Sequence, residues 1–182
     1  MPDRDNELGE VYLQPGEMFL AREPTIIRTL LGSCVGVTFW SKRLGIGALC
    51  HAMLPRCPQS HSRALSPEIA YRYVDFCIRD LGRKFDELGA HRSEVRVKLF
   101  GGADVLLGGK DAPTQDTIGS LNCDAALEVL CAEGFQIAAS SLRGKSGLNI
   151  YFNTGTGEIR LRRLRHISDI PQPFSGAERQ SA

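Results

Sequence analysis

No stretch of this chain is apolar for long enough to span a bilayer, and its opening, MPDRDNELGE, is acidic and polar where a secretory leader is basic and then apolar. Together these absences argue against membrane insertion and secretion, and the expectation is a cytoplasmic protein. An excess of charge of one sign is missing as well. Lys plus Arg is 22 against 21 for Asp plus Glu, a formal net charge of +1, so no electrostatic footprint for nucleic acid stands out. Cysteine is not scarce, but no two of the six form a CxxC pair. Cys50, His51 and Cys57 raise the question of zinc, yet the paired spacing of structural zinc sites is missing. The six are therefore expected as reduced thiols rather than a disulfide framework, with no metal. Internal repeats and low-complexity segments are absent too, and 182 residues suffice for one domain with a substantial core.

What is present reads as strands first. Residues 10 to 22, EVYLQPGEMFLAR, form two short extended segments around a Pro-Gly turn, and TIIRTLL follows with β-branched residues suited to a strand. VGVTFW and LGIGALCHAML are two more apolar extended runs joined by the polar SKR, which predicts a hairpin with Cys34 where it begins. In a hairpin centred near residue 42, Cys34 and His51 are almost equidistant from the turn. They should therefore lie near each other.

PRCPQSHSRAL is a Pro/Ser-rich loop, after which Ser66 as N-cap, Pro67 at N1 and Glu68 in the first turn start a helix. Ile69, Tyr73, Val74, Cys77, Ile78, Leu81, Phe85 and Leu88 recur at helical spacing, and Gly89 is a suitable C′ residue. EVRVKLF alternates Val95, Val97 and Leu99 as a strand does, then meets the turn GGA, where Gly101 and Gly102 read as positions of unusual φ. A second helix is predicted from about Gly119 to Glu133, closed by Gly134, with Leu121, Ala125, Val129 and Leu130 inward. FQIAAS and LNIYFNTGTGEIRLRRL complete the strands. The expected organisation is a poorly ordered start (residues 1–9), one α+β layered domain (10–165) and a flexible tail (166–182).

Packing alone accounts for Cys50, Cys77, Cys123 and Cys131 on strands and helices. Cys34 sits differently. The glycine two positions before it permits a sharp turn, and N–H groups freed there, around Gly32, Ser33 and Val35, can converge on one oxygen as an oxyanion hole requires. A nucleophilic thiol also needs a base, and His51, titrating near neutral pH, can take the thiol proton and return one to a leaving amine.

LLGSCVGV, with a histidine seventeen positions after the cysteine in GALCHAMLP, resembles the signature of the CheD family, the chemoreceptor glutamine deamidases. AYRYVDFCIRDLGRKFDELGA, VKLFGGADVL, IGSLNCDAALEVLCAEGFQI and TGEIRLRRL are similar to later segments of that family in the same order, so the resemblance covers roughly residues 10 to 165. It implies a layered α/β sandwich with a mixed β-sheet, flanking helices and a cysteine-hydrolase, toxin-deamidase-like architecture. It also implies conversion of selected glutamines of methyl-accepting chemotaxis receptors to glutamate without a cofactor. By position, Cys34 would be the nucleophile, His51 the general base and acid, and Thr29 the third catalytic member, since Arg28 occupies the adjacent place. SSLRGKSGLNIYF departs from the family pattern, with Arg143-Gly144 and Gly147-Leu148 where many relatives have a glycine pair and then an arginine. Two other readings remain open: a non-catalytic regulator that docks to receptors and a CheC-type response-regulator phosphatase, and a thiol redox or peptidase activity.

Overall fold

The computed structural model describes residues 8–58, 65–104 and 117–164. The expected order of residues 1–7 and of the tail from 166 onward lies outside that range. Nine strands and three helices are described: β1 (Gly9–Tyr12), β2 (Met18–Ala21), β3 (Thr25–Leu31), β4 (Val35–Ser41), β5 (Ile46–Ala52), α1 (Pro67–Ala70), α2 (Val74–Glu87), β6 (Arg96–Gly101), α3 (Ile118–Ala132), β7 (Ile137–Leu142), β8 (Leu148–Asn153) and β9 (Ile159–Arg163). A single 3-10 turn, Arg92–Glu94, precedes β6.

The fold is α+β, but with two sheets where the sequence suggested one. A four-stranded sheet has the order β1-β3-β8-β9 and a five-stranded sheet the order β2-β5-β4-β6-β7. Both are mixed, since β1–β3 and β6–β7 pair in parallel and the other pairs are antiparallel. Strand alternation explains the layering. Val35, Val37 and Phe39 of β4 and Ala48, Cys50 and Ala52 of β5 join α2 and α3 in one core. Trp40 of β4 and Leu49 of β5 point the other way and pack with Ile27, Leu31, Ile150 and Phe152 of the four-stranded sheet in a second core. β4 and β5 are buried along their whole length because both faces are covered.

Phe39 anchors the helix side, with its ring centroid 5.6 Å from that of Phe85 and 4.9 Å from that of Phe135. Burying a phenylalanine in such a cluster contributes about 2–3 kcal/mol.

Four expectations need correcting. The helix predicted to run unbroken from Pro67 is split, because Tyr73 is extended (φ −102°, ψ 128°). Met53 and Leu54 both donate backbone N–H bonds to the Arg72 carbonyl, at 2.8 and 2.9 Å, and Val74 N–H donates to Leu54 O at 2.8 Å. A continuous helix would need that Arg72 carbonyl for Phe76, so tertiary pairing overrides helical periodicity, and Ile69 is left exposed. The hairpin turn spans Lys42 to Gly45, with Gly45 at φ +66°, and the register opposes His51 to Gly36 rather than to Cys34. On α3, which the Thr117 side chain caps by accepting the Ser120 N–H, Leu121 is exposed and Asn122 takes the inward place. Cys131 is exposed, since α3 turns Val129 and Leu130 inward instead. Cys50, Cys77 and Cys123 are buried, and Gly89 (φ +81°) and Gly134 (φ +75°) close their helices as expected.

Candidate active site

The alternation that builds the inter-sheet core also selects which side chains can meet there. On β3, Ile27, Thr29 and Leu31 face inward while Arg28 faces out, where it pairs with Glu10 at 2.5 Å and lies over the Tyr151 ring. Thr29, not Arg28, therefore faces the space between the sheets. On β5, His51 shares the inward face with Leu49, whereas Cys50 points to the helices. Cys50 and His51 are thus on opposite faces of their strand, an arrangement unsuited to one metal ion.

Thr29 and His51 are each 1% exposed, and Thr29 Oγ1 lies 2.7 Å from His51 Nδ1. The same hydroxyl donates to the Leu13 carbonyl at 2.8 Å. A hydroxyl has a single proton to give, so toward the ring it can only accept. This assigns the proton of the imidazole to Nδ1. Nε2 is then a bare lone pair, and among the described residues it has no hydrogen-bond partner. Burial lowers the His51 pKa to about 4, a nearby Leu13 backbone interaction partly opposing the shift, so the ring is neutral at physiological pH. The main chain is fixed too, with Gly16 N–H donating to His51 O at 2.7 Å and His51 N–H to Glu17 O at 2.9 Å.

Cys34 ends the bend between β3 and β4 and packs, partly buried, against the inter-sheet core. Three consecutive carbonyls of this bend are drawn to one side. Ala103 N–H donates to Gly32 O at 2.8 Å, Asn122 Nδ2 to Ser33 O at 3.0 Å, and Gly102 N–H to Cys34 O at 2.8 Å. Peptides in the described residues are trans, so the N–H groups of Ser33 and Cys34 point away from those donors, whereas the Val35 N–H, an expected oxyanion donor, faces Ala52 in the β4–β5 ladder and is already taken. The two glycines make the approach possible. Gly101 and Gly102 have φ of +100° and +65°, and a Cβ would lie 2.2 Å from Cys34 O in the first case and 2.1 Å from Cys123 Sγ in the second. They serve as the turn that holds the Cys34 loop.

Burial raises the Cys34 thiol pKa above its ordinary value of 9.0, while an interaction with its own backbone acts in the opposite sense. With the thiol raised and the imidazole lowered, the resting pair is neutral. The structure brings Thr29 and His51 into direct contact and puts Cys34 on the same inter-sheet side, two residues from the Gly36 that opposes His51.

Sequence reading missed two groups. The Leu13 carbonyl has no side-chain signature. Asn122 had one, a polar residue inside the inward stripe of α3. The departure at Arg143 adjoins this region: Arg143 adopts φ +58°, donates its N–H to Gly101 O at 3.0 Å and pairs with Asp124.

Together these features define an α+β protein in which a thiol and a neutral imidazole share the space between two sheets. Residues 53–163 match the family model described as CheD chemotactic sensory transduction. A probable chemoreceptor glutamine deamidase CheD 2 of Geobacter sulfurreducens is 40% identical over 164 residues, which cover 90% of this chain and 96% of that protein. A probable chemoreceptor glutamine deamidase CheD of Oleidesulfovibrio alaskensis is 38% identical over 167 residues, 91% of this chain and 77% of its own length. Its counterpart from Maridesulfovibrio salexigens is 37% identical over 166 residues, covering 90% and 97%. The chain belongs to the CheD family. Among the described residues no helix is long and apolar enough to cross a membrane.

Proposed function

We propose that this protein is a chemoreceptor glutamine deamidase, a cysteine hydrolase of toxin-deamidase-like architecture that converts glutamine side chains of methyl-accepting receptors to glutamate. The observation that carries the reading is the Thr29–His51 pair, whose proton arrangement leaves Nε2 free to act as a base on the inter-sheet face that also bears Cys34. Its relatives' names agree with it.

The chemistry follows from the groups present. As Cys34 Sγ bonds to the carboxamide carbon, its proton passes to His51 Nε2, and the oxygen takes up the negative charge toward the N–H groups of Ser33 and Cys34. His51 then gives its proton to the nitrogen. The C–N bond breaks, ammonia leaves and a thioester to Cys34 remains. A water molecule gives a proton to Nε2 and attacks the thioester carbonyl; the C–S bond breaks, sulfur recovers the proton, and the product is glutamate. Neutral resting partners mean that proton transfer waits for the substrate rather than preceding it. Thr29 acts through His51 and is a positioning residue.

A docking-only role as the partner of a CheC-type phosphatase leaves the buried Thr29–His51 pair without a purpose, and the catalytic reading is preferred for that reason. Six unpaired cysteines fit a reducing, cytoplasmic site of action on the receptors' signalling domains. The test is incubation with a purified receptor signalling domain, with ammonia release and peptide mass spectrometry as readouts. Wild type should convert glutamine to glutamate, and Cys34→Ala and His51→Ala should not. Equal conversion by all three would overturn the reading.

A further inference from the structure

Asn122 is fully buried on α3, on a buried side otherwise made of Gly119, Cys123, Ala125, Ala126, Val129 and Leu130. Its Nδ2 donates to two main-chain carbonyls, Ser33 O and Met53 O, each at 3.0 Å. Those acceptors belong to different segments. Ser33 is the residue before Cys34, and Met53 lies two residues beyond His51. The orientation of the amide follows from chemistry, because the reverse placement would set its oxygen against two carbonyl oxygens. Oδ1 is left buried and without a partner among the described residues.

Such an asparagine is a poor way to stabilise a core. An apolar side chain would fill the stripe without burying an unpaired acceptor. What Asn122 does that an apolar residue could not is tie the strand of the base to the loop of the nucleophile. It also fixes one particular peptide plane. With Ser33 O held by Nδ2, the trans peptide turns the N–H of Cys34 to the opposite side.

We propose that Asn122 is a positioning residue for the deamidation reaction, holding the Ser33–Cys34 peptide so that the Cys34 N–H serves the oxyanion, and keeping that loop in register with His51. The role rests on the deamidase reading but has a consequence that does not need a receptor. The backbone interaction that opposes the rise in thiol pKa at Cys34 depends on the orientation of that peptide. Release of the peptide should make the thiol harder to ionise.

The experiment compares wild type, Asn122→Ala, Asn122→Ser and Val129→Ala, the last a buried truncation on α3 chosen as a control for lost stability. Folding is followed by melting temperature. The pH profile of iodoacetamide alkylation at Cys34, read by peptide mass spectrometry, and kcat and KM on a receptor signalling domain are the functional readouts. Asn122→Ala should lower kcat about 10- to 100-fold with KM within about threefold, less than the loss of an oxyanion donor itself. Its Cys34 alkylation profile should move to higher pH. Asn122→Ser, with one donor for two carbonyls, should fall between it and wild type, and it serves if the alanine variant does not fold. Val129→Ala should lose stability without either change. Asn122 variants that track Val129→Ala in all but melting temperature would overturn the role. If wild type itself fails to deamidate, the deamidase reading falls, while an unshifted alkylation profile would independently refute the placement of the peptide.

Discussion

Replacing Thr29 by valine is the sharpest probe of the base, because valine keeps the shape and strand preference of threonine and removes only the hydroxyl. That hydroxyl serves two buried groups, the Leu13 carbonyl at 2.8 Å and His51 Nδ1–H at 2.7 Å. Leaving a buried polar group unpaired costs about 1–3 kcal/mol, so the substitution should destabilise the fold by about 2–3 kcal/mol after partial relaxation. For a domain of this size that is a fall of roughly 5–10 °C in melting temperature. Activity should suffer separately. Without the hydroxyl the Nδ1 proton is left with the Leu13 carbonyl alone and is held less firmly. An imidazole protonated at Nε2 cannot receive the thiol proton, so kcat should fall about 10- to 100-fold. Thr29→Ser should restore both. Urea unfolding and deamidation kinetics check the two effects. A Thr29→Val protein with stability within about 0.5 kcal/mol of wild type and an unchanged kcat would refute the proton assignment.

Further outcomes follow from the same geometry. Because folding lowers the His51 pKa from 6.5 to about 4, the unfolded chain binds the extra proton first as pH falls. Stability should drop from about pH 6.5 to pH 4 by up to about 3 kcal/mol and then level off, and a His51→Gln variant should lose that dependence in urea titrations across this window. The acid limb of kcat/KM should likewise persist to near pH 4, and a midpoint above 6 would contradict the burial of the ring. Alkylation of Cys34 by iodoacetamide should be slow at pH 7 and rise with an inflection above the ordinary thiol value of 9.0, whereas an inflection below 7 would mean a preformed thiolate. Gly101→Ala forces a Cβ to within 2.2 Å of Cys34 O at φ +100°. It should destabilise by about 2 kcal/mol or more and slow deamidation, measured by thermal unfolding and turnover together.

Period-two alternation made β6 legible, the β-branched run of β3 marked a strand, and β4 and β5 were read as apolar runs joined by a polar turn, as befits strands covered on both faces. Their division into two sheets could not be read from the sequence, because apolar alternation does not say which layer a face is packed against. Long-range pairing also escaped it: the bond of Leu54 to Val74 and Arg72 breaks a helix whose own periodicity is unbroken. At the candidate site, Cys34 and His51 stood out as reactive types beside a glycine bend, and Thr29 entered through family resemblance. The sequence contained no sign of the Leu13 carbonyl that sets the imidazole tautomer. Asn122 was visible only as one polar letter in an apolar stripe, and its importance depends on two carbonyls 89 and 69 residues away in the chain.

Trapping the covalent intermediate tests the central claim most directly. A receptor signalling domain is mixed with stoichiometric enzyme, quenched in acid on the timescale of one turnover, digested, and searched for a receptor glutamyl peptide joined to the Cys34 peptide. The account predicts that adduct at Cys34 alone among the six cysteines, appearing before free glutamate and absent from Cys34→Ala. Glutamate formed at the wild-type rate by Cys34→Ala, or an adduct at another cysteine, would contradict it.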